Sequence, residues 1–154
     1  MENEKAIAAL NALITINNDR IEGYETASKE TEESDLKTLF AGFISNSQKC
    51  KMELVREVNL LGGEEAEGTK VSGKFFRVWM DVKAALTGKD RETILNSCEF
   101  GEDQAQDTYV DVIEKEFEHL NAGQQTMIFE QKSLLKADHD HVKAMRDALV
   151  DASN

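Results

Sequence analysis

The sequence contains no proline, two cysteines and few aromatic residues, which make up 6% of its 154 residues. Without proline, nothing removes a backbone donor or clashes with the preceding turn, so long uninterrupted helices are possible. Cys50 and Cys98 are too few for a disulfide scaffold. The hydrophobic content of 40% is sufficient for a core, and the composition favours a helical protein.

Positive charge is also scarce. The chain has 18 Lys and Arg residues and 30 Asp and Glu residues, which gives a net charge of −12. Such an acidic chain repels phosphates, so we expect no nucleic-acid partner.

No apolar run approaches the roughly 20 residues that span a bilayer, and MENEKAIAAL lacks the basic and apolar regions of a secretory signal. We expect a cytoplasmic protein without stable membrane insertion.

Four long segments have apolar residues at steps of three, four and seven, the spacing of an amphipathic helix. In the second segment, for example, this stripe runs from Leu36 to Leu61, and Gly62-Gly63 follows as a helix stop signal. Asn3 is the predicted N-cap of the first helix, and Ser34 or Asp35 that of the second. The four predicted helices are residues 3–29, 34–61, 90–118 and 121–152.

The connection between the second and third predicted helices is long, whereas the other two are tight turns. Residues 69–88 within it have one apolar face and predict a short amphipathic helix. Together with extended residues, this connection can run the length of the bundle. We therefore predict one all-α domain over residues 1–154, a ferritin-like four-helix bundle whose crossover connection contains a short helix.

Polar side chains interrupt the apolar stripes near the middle of each predicted helix. A buried polar layer is tolerated only if its members satisfy one another, and such a layer can fix helix register. We predict that these residues form one hydrogen-bonded layer across the bundle: Asn17, Ser47, Glu102, Tyr109, Gln131 and Asp138.

A di-iron centre in such a bundle needs one Glu from each of two helices and a Glu-x-x-His motif from each of the other two. The second helix instead has Arg56 three residues after Glu53, and it contains no histidine. Because the ligand set is incomplete, we predict no catalytic residue, no cofactor and no di-iron centre. A reduced site for iron, manganese or zinc could draw on Glu102, Asp138, His139 and His141.

Several motifs resemble a bacterial ferritin-like bundle family known only as a domain of unknown function. They are GYETA (23–27), LLGGEEAEG (60–68), VKAALTGKD (82–90), FGEDQAQDTYVDV (100–112) and HDHVKAMRDAL (139–149). The resemblance covers nearly the whole chain and implies a ferritin-like fold, but it implies no activity.

Two hypotheses about function follow. In the first, the chain is a non-enzymatic helical protein that lacks a complete di-iron site and either self-associates, as a dimer, or binds a protein partner. In the second, it is a metal-binding or di-iron-type oxidase or storage protein with a reduced ligand set. The basic, aromatic segment 69–89 either packs on the bundle or mediates contacts.

Overall fold

The computed structural model describes residues 3–67 and 91–153. This part of the chain contains helices and no strand, which confirms the prediction of an all-α helical bundle. A short 3-10 turn, Phe117–His119, joins the last two helices. The helices begin and end within two residues of the predicted positions and are α1 (Glu4–Glu30), α2 (Ser34–Leu60), α3 (Arg91–Glu116) and α4 (Ala122–Ser153).

Each helix packs mainly against two of the others, α1 and α4 each lying between α2 and α3. Hydrogen bonds join Asn17 to Tyr109 and Tyr24 to Glu102, so residue numbers rise along α1 as they fall along α3. These two helices are therefore antiparallel.

The same reasoning gives the directions of α2 and α4. Asn46 bonds to Asp138 and Glu57 bonds to Gln124, so these helices are also antiparallel. Since α1 and α2 are joined by a tight turn, α2 and α3 run in the same direction, and α2 ends at the opposite end of the bundle from the start of α3. The predicted short helix at residues 69–88 lies outside the described residues.

Apolar stripes fill the interior as the residue spacing predicted. On α2 the inward positions are all buried, including Phe40, Phe43 and Cys50. Cys50 and Cys98 are free, buried thiols, and burial raises the pKa of Cys50 to about 11. Both cysteines therefore serve as small core side chains. None of the described helices has an apolar stretch long enough to cross a membrane.

The helix starts differ from the predicted caps. Asn3 precedes α1, but its backbone is helical and its side chain makes no capping hydrogen bond; a cap needs an extended backbone. Instead the side chain donates to the carbonyl of Leu61. The extended residue before α2 is Glu33, so the predicted caps Ser34 and Asp35 lie inside the first turn.

Gly62 ends α2 in the left-handed conformation that the sequence predicted, with φ of 79°. The amide of Gly63 donates to the carbonyl of Val58 at 3.0 Å, which closes the last turn. Gly63 also lies against Ile7, because a Cβ at this position would come within 2.8 Å of the Ile7 side chain. This close approach places the start of the long connection beside the N-terminal end of α1.

Candidate functional site

Arg20 is completely buried at the centre of the bundle and bonds to a residue on each of the other three helices. Its Nε and Nη2 donate to Oε1 of Glu102, on α3, at 3.0 and 2.8 Å. Nη2 also donates to Oδ2 of Asp138, on α4, at 3.1 Å. Nη1 donates to the hydroxyl of Ser47, on α2. One guanidinium from α1 therefore links all four helices.

Two aromatic rings lie close to this guanidinium. The hydroxyl of Tyr24 donates to Oε1 of Glu102 at 2.6 Å. The Arg20 Cζ lies 5.5 Å from the centre of the Tyr24 ring and 6.0 Å from that of Phe43. These distances allow cation–π attraction, which is strongest where the cation has lost its water.

A second polar network crosses the interior next to the first. Asn17 donates to the hydroxyl of Tyr109 at 2.9 Å, and this hydroxyl donates to Oε1 of Gln131 at 2.8 Å. The Gln131 amide then donates to the carboxylate of Glu53 at 3.1 Å and to the backbone carbonyl of Cys50 at 3.2 Å. This chain of bonds also touches all four helices.

The structure buries all six residues that were predicted to form one polar layer. It distributes them over two networks. Ser47, Glu102 and Asp138 surround Arg20, whereas the other three, Asn17, Tyr109 and Gln131, form the second network.

Arg20, the residue at the centre, was not among the predicted site residues, and neither was Asn46, which donates to both oxygens of Asp138. A signal for Arg20 does exist in the sequence. It lies three residues after Asn17 and four before Tyr24, which places it on the inward face of α1. A basic residue on an inward face marks a buried ion pair, because a lone charge there would be too costly.

Burial and the neighbouring charges shift the pKa values of Glu102 and Arg20 in this site. Burial raises the pKa of Glu102, although Arg20 and Tyr24 oppose the shift. Burial by itself would lower the pKa of Arg20, but Glu102, Tyr24 and Asp138 raise it, so the guanidinium stays charged. Oε1 of Glu102 accepts all the bonds described above, whereas Oε2 is buried and has no hydrogen-bond partner among the described residues.

The histidines proposed for a reduced metal site lie away from this centre. Nε2 of His139 is 2.6 Å from Oδ1 of Asp103, on the partly exposed seam between α3 and α4. His141 is exposed. Arg20 bonds to both Glu102 and Asp138, whereas His139 bonds to Asp103 and His141 is exposed. Neither histidine therefore lies with the two interior carboxylates.

The fold and this interior define the chain as an all-α helical bundle with a buried, arginine-centred polar core. It belongs to the family described as "Domain of unknown function (DUF2383)", whose model matches residues 5–115. The match includes Arg20, Ser47 and Glu102 but ends before α4 and Asp138. A comparison with curated proteins found no match.

Replacing Arg20 by Met, which keeps much of its volume, should lower the free energy of unfolding by about 3–5 kcal/mol. The physical reason is that Glu102 and Asp138 lose their cation while staying buried. The measurement is chemical denaturation at pH 7. The control is Lys37→Met, because Lys37 is exposed on α2 and its replacement should change stability by less than about 0.5 kcal/mol.

The triple variant Arg20→Met, Glu102→Gln, Asp138→Asn should recover part of the stability that Arg20→Met loses, since it removes the uncompensated charges. Equal stability of Arg20→Met and wild type would show that the guanidinium does not neutralise these carboxylates.

The raised pKa of Glu102 predicts an unusual pH dependence. Above the ordinary value of 4.5, the unfolded chain loses this proton before the folded protein does, so the folded state binds more protons and stability falls as pH rises. Wild type should therefore lose stability relative to Glu102→Gln as pH rises from 4.5 through the folded-state pKa. Denaturation curves at several pH values measure this difference, and a gain relative to the variant would show that Arg20 outweighs burial.

Proposed function

We propose that the protein is a non-enzymatic, cytoplasmic helical protein of the ferritin-like type that lacks a complete di-iron site. It acts through its outer surface, by forming a dimer or by binding a protein partner. The observation that carries this proposal is the position of Arg20 between the inward carboxylates of α3 and α4.

A guanidinium has five donors and no acceptor, and it cannot be deprotonated in a protein, so it cannot serve as a metal ligand. It instead provides the positive charge that an ion would bring to Glu102 and Asp138. The other groups facing it support the same conclusion. Ser47 offers only a hydroxyl, which accepts a bond from Arg20. The amide nitrogen of Asn46 donates to both oxygens of Asp138. Iron would have to displace Arg20, and the described residues around it would then offer too few carboxylates and no imidazole.

The outer face of α2 supports self-association. Met52 and Leu60 are each 73% exposed, and with Val55 they line a shallow groove whose charged residues are Lys51, Arg56 and Glu65. Contiguous exposed apolar side chains with a polar rim are typical of contact surfaces. The two basic residues of the groove outnumber its one acidic residue and attract a protein whose net charge is −12, so a second copy of this acidic chain fits as the partner.

Iron chemistry separates this proposal from the hypothesis of a metal-binding oxidase or storage protein with a reduced ligand set. Tag-free protein mixed with Fe²⁺ under nitrogen and then exposed to oxygen should oxidise iron no faster than buffer does. The amount of bound iron should not change in Glu102→Gln or Asp138→Asn. The control is Asp107→Asn, at an exposed position of α3. Iron oxidation that only the two interior variants abolish would establish the oxidase hypothesis.

Sedimentation velocity tests self-association. Wild type should sediment as a dimer. The double variant Met52→Lys, Leu60→Lys should sediment as a monomer, because dimer formation would bury the two added ammonium groups in an apolar contact. Ser133→Lys with Ala137→Lys adds the same charge at exposed positions of α4, away from the α2 face, and should leave the dimer intact. A monomer at every accessible concentration would exclude the dimer.

A further inference from the structure

We propose that Glu99, Asp103 and His139 form a binding site for one divalent transition-metal ion, Zn²⁺, on the seam between α3 and α4. This site is separate from the interior network around Arg20. One ligand atom from each of the three side chains lies within 4.8 Å of the others.

The helices place these residues together for simple geometric reasons. Glu99 and Asp103 are four residues apart, so they project from the same face of α3. His139 reaches them from α4, its Nε2 lying 2.6 Å from Oδ1 of Asp103. The side chains of Glu99 and His139 are only 14% and 17% exposed, whereas Asp103 is half exposed. An ion could therefore enter from solvent at Asp103 and reach the two partly buried side chains of Glu99 and His139.

The second nitrogen of His139 gives independent support. Nδ1 lies 3.1 Å from Oδ1 of Asp140. When zinc displaces the proton that Nε2 shares with Asp103, the proton on Nδ1 stays bonded to the Asp140 carboxylate and Nε2 becomes the ligand. A histidine bound to metal usually donates its other N–H to such a carboxylate, which fixes the ring and makes the ligating nitrogen more basic. This arrangement distinguishes the site from an ordinary group of surface acids.

The donor set selects the ion. Imidazole nitrogen with carboxylate oxygens suits Zn²⁺, whereas Mg²⁺ and Ca²⁺ prefer oxygen ligands alone. Zinc sites with three protein ligands are completed by water. At Zn–ligand distances of about 2.0–2.2 Å, tetrahedral ligand atoms lie about 3.4 Å apart. The three side chains reach that spacing if the His139–Asp103 contact opens and Glu99 moves inward.

Arg146 is the group that competes with the ion. Its Nη1 bonds to Oε2 of Glu99, and its Nη2 bonds to Asp147 at 3.0 Å. Zinc binding therefore requires Glu99 to exchange its bond to Arg146 for a bond to the ion. Because Arg146 keeps Asp147 as a partner, this exchange leaves the guanidinium paired.

Zinc titration of the full-length, tag-free, chelator-treated protein tests the site by calorimetry in a non-chelating buffer. We expect one Zn²⁺ per chain. His139→Ala should weaken binding at least tenfold, the scale of loss when metal-site partners are removed. The control is His141→Ala, an exposed histidine two residues along the same helix, which should bind zinc as wild type does. Arg146→Met should bind zinc more tightly, because Glu99 is then free.

Asp103→Asn provides a second variant at an exposed position, in case His139→Ala perturbs folding as judged by circular dichroism. It should also weaken zinc binding at least tenfold. The absence of saturable zinc binding would show that these residues form a surface ion pair only and would overturn the proposal. An affinity that neither His139→Ala nor Asp103→Asn changes would overturn it as well. Neither result depends on the interior carboxylates that the iron experiment tests.

Discussion

The bonds from Arg20 to Ser47, Glu102 and Asp138 hold α1 against the other three helices at one height. A buried cation is costly to desolvate, and that cost is offset only when partners in good geometry surround it. Each of the three nitrogens of Arg20 has a partner, and this arrangement requires all four helices to be in register, since each partner residue comes from a different helix. A slip of one helix by a turn would leave a buried charge unpaired. The apolar stripes alone would tolerate such a slip far better, because hydrophobic contact is not directional.

The second network adds the same kind of constraint next to the first. Asn17 and Tyr109 connect α1 to α3, and Gln131 extends the connection to α2 through Glu53. Buried polar groups are worth most when the whole chain of bonds is completed. Two atoms in these networks have no partner among the described residues, Oδ1 of Asn17 and Oε2 of Glu102. The raised pKa of Glu102 agrees with this asymmetry, because one of its oxygens accepts every bond while the other accepts none.

The sequence predicted the helices and their buried faces well because amphipathic periodicity depends on local spacing, which a single chain displays directly. The six uncharged and acidic side chains that it assigned to the interior are buried, but it missed Asn18, Asp19, Thr31 and Gln124, which are buried as well. It did not predict Arg20, since a basic residue normally lies on the surface unless a partner is known. Its partners are 27, 82 and 118 residues away in the chain, so they come together only when the fold is assembled. The separation of six polar residues into two networks likewise depends on side-chain directions that spacing does not specify.

An arginine at this position has a consequence for stability that a metal would not have. A bound ion stabilises the folded state only to the extent that its concentration exceeds its dissociation constant, and a metal-dependent core therefore loses stability when a chelator removes the ion. The cation of Arg20 is covalently part of α1, so the carboxylates of Glu102 and Asp138 have a partner at any metal concentration. Such a core can fold without metal, and metal binding at a partly exposed seam such as that of His139 and Asp103 can then respond to metal concentration without unfolding the bundle.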